Sequence, residues 1–302
     1  MAEGKNDHYK YDPSSVAAIV FAVLFGLSSA LHIAQMLKMR TWYMTAFIFG
    51  ALFETVAYVF RAVNTFEDYG HWTLVPFILQ AVLSLVAPSL LAASIYMILG
   101  RIILLTDAEP LSMMRKRWLT KFFVVGDVFA FLVQCMGAGI LSGADSRSSQ
   151  DRGEMVIIIG LIVQLLFFGF FIIVAAVFHW RLNKSPTEAS LRPETRWRYY
   201  LTALYGTSLF ILVRCLFRLI EYIQGQDGYL LSKEVFLYVF DAVLMFLVCA
   251  WFNWWHPSEI GVLLRGDKAA TNGFALLRSR EKTLDNDNEM GQVSDIRSHE
   301  IK

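Results

Sequence analysis

The sequence predicts an all-α, polytopic membrane protein: seven transmembrane helices, amino terminus outside, carboxyl terminus cytoplasmic. Three observations carry this expectation. The composition suits a chain dissolved in lipid, seven apolar runs have bilayer length, and the basic residues are distributed unequally between the two sides. Of 302 residues, 56% are hydrophobic and 18% charged, against about 45–50% and about 25% in soluble domains. The formal net charge of +1 removes the basic footprint of a nucleic-acid binder, so no nucleic-acid partner is expected.

The apolar runs are Ser14–Met36, Trp42–Ala62, Leu74–Leu99, Thr120–Leu141, Met155–His179, Tyr200–Tyr222 and Glu234–Trp255. Each approaches or exceeds the roughly 20 helical residues that a hydrocarbon core of about 30 Å requires. The runs are continuous rather than alternating, which argues against a barrel. Gln35, Gln80, Gln134 and Gln164 place one amide each in spans one, three, four and five, where interhelical hydrogen bonding is their ordinary role. Pro88 interrupts span three and frees a backbone carbonyl, so a kink is expected there. Most of the eight tryptophans stand at span ends, as interfacial aromatics do.

Basic residues set the orientation, because short loops rich in Lys and Arg stay cytoplasmic. One side holds nineteen: Lys38 and Arg40, the loop cluster around Arg101 to Lys121, the group from Arg181 to Arg198, and the tail. The other side holds five: Lys5, Lys10, Arg147, Arg152 and Lys233. The expected organisation is an extracellular segment at 1–13, a transmembrane domain at 14–257 and a disordered cytoplasmic tail at 258–302, with the plasma membrane as the expected location. Cys135, Cys215 and Cys249 all fall in apolar runs and read as buried small hydrophobes.

Ionisable side chains within the bilayer are costly and mark functional sites by default. Glu54, Tyr58 and Arg61 fall within about 60° of one another on a helix. Arg214, Arg218 and Glu221 repeat the same spacing in span six, and Glu234, Tyr238 and Asp241 share one side of span seven. With alternating spans, all three stripes lie in the outer half. Among Glu54, Arg61, Arg214, Arg218, Glu221 and Asp241, three positive charges face three negative ones, which points to a mutually neutralising cluster. Two readings stand: struts that fix packing, and a cavity that holds a polar head group. Asp127, with Gln134 further along the same span, reads more readily as a carboxylate paired with a basic loop residue than as a proton-linked group.

Much chemistry is missing. The six histidines include no i, i+4 pair and no HExxH, and neither a GxSxG elbow nor a Walker-type loop occurs. No enzyme, metal or cofactor is expected, and His32 reads as a packed, hydrogen-bonded histidine rather than a porphyrin ligand. Rhodopsin-type receptor marks are also absent from spans three and seven.

Several phrases together resemble the fungal lipid-translocating exporter family, or RTA-like family. They are Gly50-x-x-x-Glu54-x-x-x-Tyr58-x-x-Arg61, Ala87-Pro88 through Ala93-Ser94-Ile95-Tyr96-Met97 to Arg101, Asp127 with Gln134 and Gly137, and Gly160-Leu161-Ile162-Val163-Gln164. The richest is Arg214-x-x-Phe217-Arg218-x-x-Glu221-Tyr222 with Gly225, Asp227-Gly228, Glu234, Tyr238 and Asp241-Ala242, closing on His256-Pro257. The resemblance implies a seven-span membrane protein that exports or flips amphipathic lipids such as sphingoid long-chain bases, or gives resistance to toxic amphiphiles; some relatives are associated with porphyrins. Membrane lipids and an amphipathic small molecule are the implied partners, and the oligomeric state is left open. Glu54, Tyr58, Arg61, Arg214, Arg218, Glu221 and Asp241 are candidate substrate-binding residues from intramembrane charge alone, with Asp127, Gln134, Gln164 and Pro88 as further candidates. The alternative is a lipid-responsive receptor or regulator that binds without translocating.

Overall fold

The structure, a computed structural model, describes residues 13–67, 73–143, 146–192, 195–225 and 228–265. All seven apolar runs are helices long and apolar enough to cross a membrane. They are α1 (Ser15–Met39), α2 (Thr45–Asn64), α3 (Leu74–Leu105), α4 (Lys116–Ser142), α5 (Arg147–Lys184), α6 (Trp197–Gln224) and α7 (residues 234–254). Most run past the apolar stretches. At 1.5 Å per residue α3 and α5 extend about 48 Å and about 57 Å, well beyond the hydrocarbon core, because a helix satisfies its own backbone in lipid and in water alike.

Local chemistry sets the ends. Ser14 caps α1 by accepting the Ala17 N–H at 3.4 Å, and Arg40 closes it in a left-handed conformation with φ 52°. Pro88 lies inside α3 without ending it. In α7 the α-helical turns Glu234–Leu237 and Leu244–Trp254 flank a π-helical stretch, Tyr238–Val243. Such wide turns concentrate at functional sites, and this one carries Asp241.

Helix α3 is the hub and the most buried span. It packs on α2, α4 and α6, while α4–α5, α5–α6, α6–α7, α7–α1 and α1–α2 complete the surround. Without a hydrophobic drive between helices in lipid, close approach depends on small residues. A Cβ on Gly50 would stand 2.9 Å from the Ala87 carbonyl oxygen of α3, and one on Gly160 2.6 Å from Gln134 Cγ of α4. Val16, Leu27, Val125, Leu132, Leu166 and Ile173 point outward, a coat suited to acyl chains. The protein is an integral, multi-pass membrane protein.

One face carries Ser14, the end of α2 and the start of α7. On the opposite face the Tyr43 hydroxyl donates to the Pro257 carbonyl at 2.5 Å, and Arg265 Nη2 donates to the Met39 carbonyl at 2.8 Å. We call these the amino-terminal and carboxyl-terminal faces. Beyond residue 257, α8 (Ser258–Leu263) buries Ile260 and Val262 against the packed unit. From residue 266 the expected tail lies outside the described residues, as do positions 1–12 of the amino-terminal segment.

Candidate functional site

The three charged stripes converge between α2, α3, α6 and α7. Arg61 binds Glu234 at 2.7 Å and donates from Nε to the Tyr238 hydroxyl at 3.1 Å. Glu234 also accepts the Ser14 N–H, at 3.0 and 3.1 Å, which ties α7 to the start of α1. Asp241 is held by two guanidiniums: Arg214 through Nε and Arg218 through Nη2 at 2.6 Å. Arg218 turns its other arm to Glu221 at 2.9 Å. The Ser84 hydroxyl of α3 donates to Asp241 at 3.1 Å and completes the network.

This arrangement corrects the expected count of three against three. Glu234 enters the cluster, and Glu54 is the carboxylate left over. Glu54 is 1% exposed. Neither of its oxygens has a hydrogen-bond partner among the described residues. Asp241, Arg214 and Arg218 act on it electrostatically, but both arginines are engaged by Asp241. Over Glu54, Glu221, Glu234 and Asp241 against Arg61, Arg214 and Arg218, four negative groups meet three positive ones. A buried carboxylate without a partner is far too costly to stand alone. Glu54 therefore requires a cation, whether a proton or the charged head of a ligand.

Pro88 has a definite consequence. Lacking an N–H, it leaves the carbonyl four residues back, that of Ser84, without its helical donor. Arg214 Nη2 donates to that oxygen at 2.5 Å. The carbonyl freed by Pro88 is thus the point where the charge network grips α3. Tyr58 is buried in an aromatic group with Phe21 and Phe25 of α1 and Tyr238 of α7. Phe25 stacks on Tyr58 at 5.6 Å and Phe21 on Tyr238 at 5.3 Å. The i, i+4 spacing of Phe21 and Phe25 was the available signal for it. The group forms a π-rich wall one turn from Glu54.

The other candidates form separate contacts. Contrary to expectation, Asp127 is paired with no basic loop residue among the described residues; its Oδ2 accepts the Tyr96 hydroxyl at 2.8 Å, and among those residues Oδ1 has no hydrogen-bond partner. Tyr96 projects into the interior of the bundle, so Asp127 finds a hydroxyl there instead of the loops' guanidiniums. Gln134 donates to Gln164 at 2.9 Å, and Gln164 donates to Ser89 at 3.0 Å, a relay from α4 through α5 to α3. Sequence reasoning missed a polar seam between α1 and α7. His32 Nε2 contacts the Cys249 carbonyl at 3.1 Å, Gln35 donates to the Asn253 carbonyl at 3.0 Å, and Asn253 donates to Ser28 at 2.5 Å. The His32 and His256 rings lie 5.9 Å apart. No group of three or more metal-ligating side chains occurs among the described residues.

The family described as RTA1 like protein matches residues 47–262. The chain is 37% identical to Protein RTA1 of Saccharomyces cerevisiae over 82% of this chain and 84% of that protein. It is 36% identical to Protoporphyrin uptake protein 1 of the same yeast, over 81% and 90%. Identity to the yeast Sphingoid long-chain base transporter RSB1 is 25%, over 80% and 70%. No solved structure matches significantly.

Proposed function

The chain belongs to the RTA1-like family, and from that membership we propose that it translocates amphipathic lipids bearing a cationic amine, acting as a transporter rather than an enzyme. The observation that carries this reading is Glu54, a buried carboxylate without a hydrogen-bond partner among the described residues, one helical turn before Tyr58 of the aromatic group. An ammonium head satisfies the carboxylate, and ring faces add cation–π attraction of about 0.5–2 kcal/mol. The names of a relative that transports sphingoid long-chain bases and one that takes up protoporphyrin support an amphipathic substrate.

In this reading Arg61, Arg214, Arg218, Glu221 and Asp241 hold the walls of the site in register, and Glu54 with Tyr58 meets the ligand. Asp127, Gln134, Gln164 and Pro88 shape the helices behind it. The amino-terminal face is outside and the carboxyl-terminal face cytoplasmic, in accord with nineteen basic residues against five. The expected cellular result is tolerance of toxic amphiphiles.

The test is leaflet exchange of a fluorescent sphingoid long-chain base in vesicles carrying the purified full chain. Exchange at least about tenfold above protein-free vesicles is expected. Saturable binding without exchange would replace translocation by the lipid-responsive receptor reading.

A further inference from the structure

We propose that the cleft between α6 and α8 on the carboxyl-terminal face binds the zwitterionic head of a membrane phospholipid. Its phosphate meets Arg196, and its ammonium meets Glu259 with the Tyr199 and Trp255 rings. The site is separate from Glu54 and does not depend on what the bundle translocates.

The cleft forms where the start of α6 meets the end of α7 and α8, and its walls include Arg196, Tyr199, Tyr200, Trp255, His256 and Glu259. It holds about 40 Å³ of free space, where a single water needs roughly 10–15 Å³. A phosphate-sized group therefore fits inside, and the remainder of a head group reaches the rim, where Arg196 and Tyr199 are exposed.

Both signs of charge line this cleft without meeting. Neither Arg196 nor Glu259 has an ion-pair partner among the described residues. Opposite charges held apart on one small concave surface are satisfied together by a group that carries its own phosphate and ammonium, laid in the reverse sense. Arg196 is the amino-terminal cap of α6, so its guanidinium and the positive end of the helix dipole act together on the phosphate.

Two unmatched polar groups in the same walls suit acceptor oxygens. His256 Nδ1 accepts the Ser258 N–H at 3.2 Å, which puts the ring's proton on Nε2 as a donor. That donor and the Tyr200 hydroxyl have no hydrogen-bond partner among the described residues, and the two residues are 7% and 6% exposed. The Tyr200 hydroxyl comes near the Glu259 carboxylate without reaching hydrogen-bond geometry. Buried polar groups are nearly always satisfied, so a pair left open in a cleft wall marks a place for a ligand. At the other end Tyr199 and Trp255 meet edge to face with ring centroids 5.8 Å apart. Ring faces beside a carboxylate suit an ammonium.

The surroundings identify the source as the bilayer. Tryptophan and tyrosine concentrate at the level of the lipid head groups, and Tyr199, Trp254 and Trp255 stand together at the ends of α6 and α7, with Trp254 71% exposed. A lipid head held there bridges the cap of α6 to Glu259 and fastens α8 to the bundle.

The experiment is native mass spectrometry of the purified full chain in a maltoside detergent, with phosphatidylcholine and phosphatidylglycerol of identical acyl chains offered together. One phosphatidylcholine per chain is expected, preferred at least about tenfold over phosphatidylglycerol. Glu259→Gln should remove the preference, since the ammonium loses its counter-charge while the phosphate keeps Arg196. Arg196→Gln should weaken phosphatidylcholine binding at least about tenfold. Soluble glycerophosphocholine at the same concentration should displace none of the lipid. Equal binding of the two lipids by the wild type, or phosphatidylcholine retained unchanged in Arg196→Gln, overturns the proposal. So does a preference that survives in Glu259→Gln, and displacement by glycerophosphocholine would make this a site for a free zwitterion instead of a membrane lipid. Wild-type preference is measured without any substitution, so a variant that fails to fold leaves the first of these outcomes decisive.

Discussion

The charge cluster near the amino-terminal face and the polar seam near the carboxyl-terminal face treat burial in opposite ways. In the cluster, Arg61, Arg214 and Arg218 each contact a carboxylate, and Ser84 bridges two of the guanidiniums and Asp241. In the seam the groups are uncharged or neutralisable, and the hydrogen-bonding capacity of His32, Gln35, Asn253 and His256 is only partly used. Glu54 stands between them, ionisable like the first and unpartnered like the second. The contrast teaches that a paired intramembrane charge holds helices together, whereas an unmatched buried group is where chemistry remains to be done.

Arg214→Ala should be the most damaging change to the paired region. It strips a partner from Asp241 and uncovers the Ser84 carbonyl freed by Pro88, at about 3–5 kcal/mol. Thermal unfolding in detergent should show the loss, and a variant as stable as wild type would deny that the cluster is a strut. Gly160→Ala probes packing away from both regions. Its Cβ would meet Gln134 Cγ at 2.6 Å and the Ala130 carbonyl at 2.9 Å, for about 1–3 kcal/mol by the same measurement.

Gln164→Ala, which cuts the relay from Gln134 to Ser89, should cost about 0.6–2 kcal/mol. Asp127→Asn preserves an acceptor for the Tyr96 hydroxyl and should cost less than about 1 kcal/mol. Glu54→Gln should change stability least, within about 0.5 kcal/mol, since no partner is lost, while long-chain base exchange falls to the level of protein-free vesicles. A large stability loss in Glu54→Gln together with intact exchange would place Glu54 with the struts and erase the distinction.

Hydropathy and length are local properties, so the seven spans were legible directly. The i, i+4, i+7 stripes of Glu54, Tyr58 and Arg61 and of Arg214, Arg218 and Glu221 were legible too, because helical periodicity puts such residues on one face. Partner choice was not. Counting charges gave neutrality with Glu54 included, whereas Arg61 reaches across to Glu234, 173 residues away. Asp127, outside that count, was expected to meet a basic loop residue, but the buried Tyr96 hydroxyl reaches it.

The solvent, the number of crossings and the residues that share a helix face all follow from nearest-neighbour chemistry along the chain. Which carboxylate stays unpaired depends on how α7 is wound and where it docks: its π-helical turn carries Asp241, engaged by two arginines of α6, while Glu234 reaches α2. The facing of His32 and His256, residues at opposite ends of the transmembrane unit, likewise exists only after α1 closes the ring against α7. Long-range pairing depends on relative helix position, and a one-dimensional pattern carries no record of that.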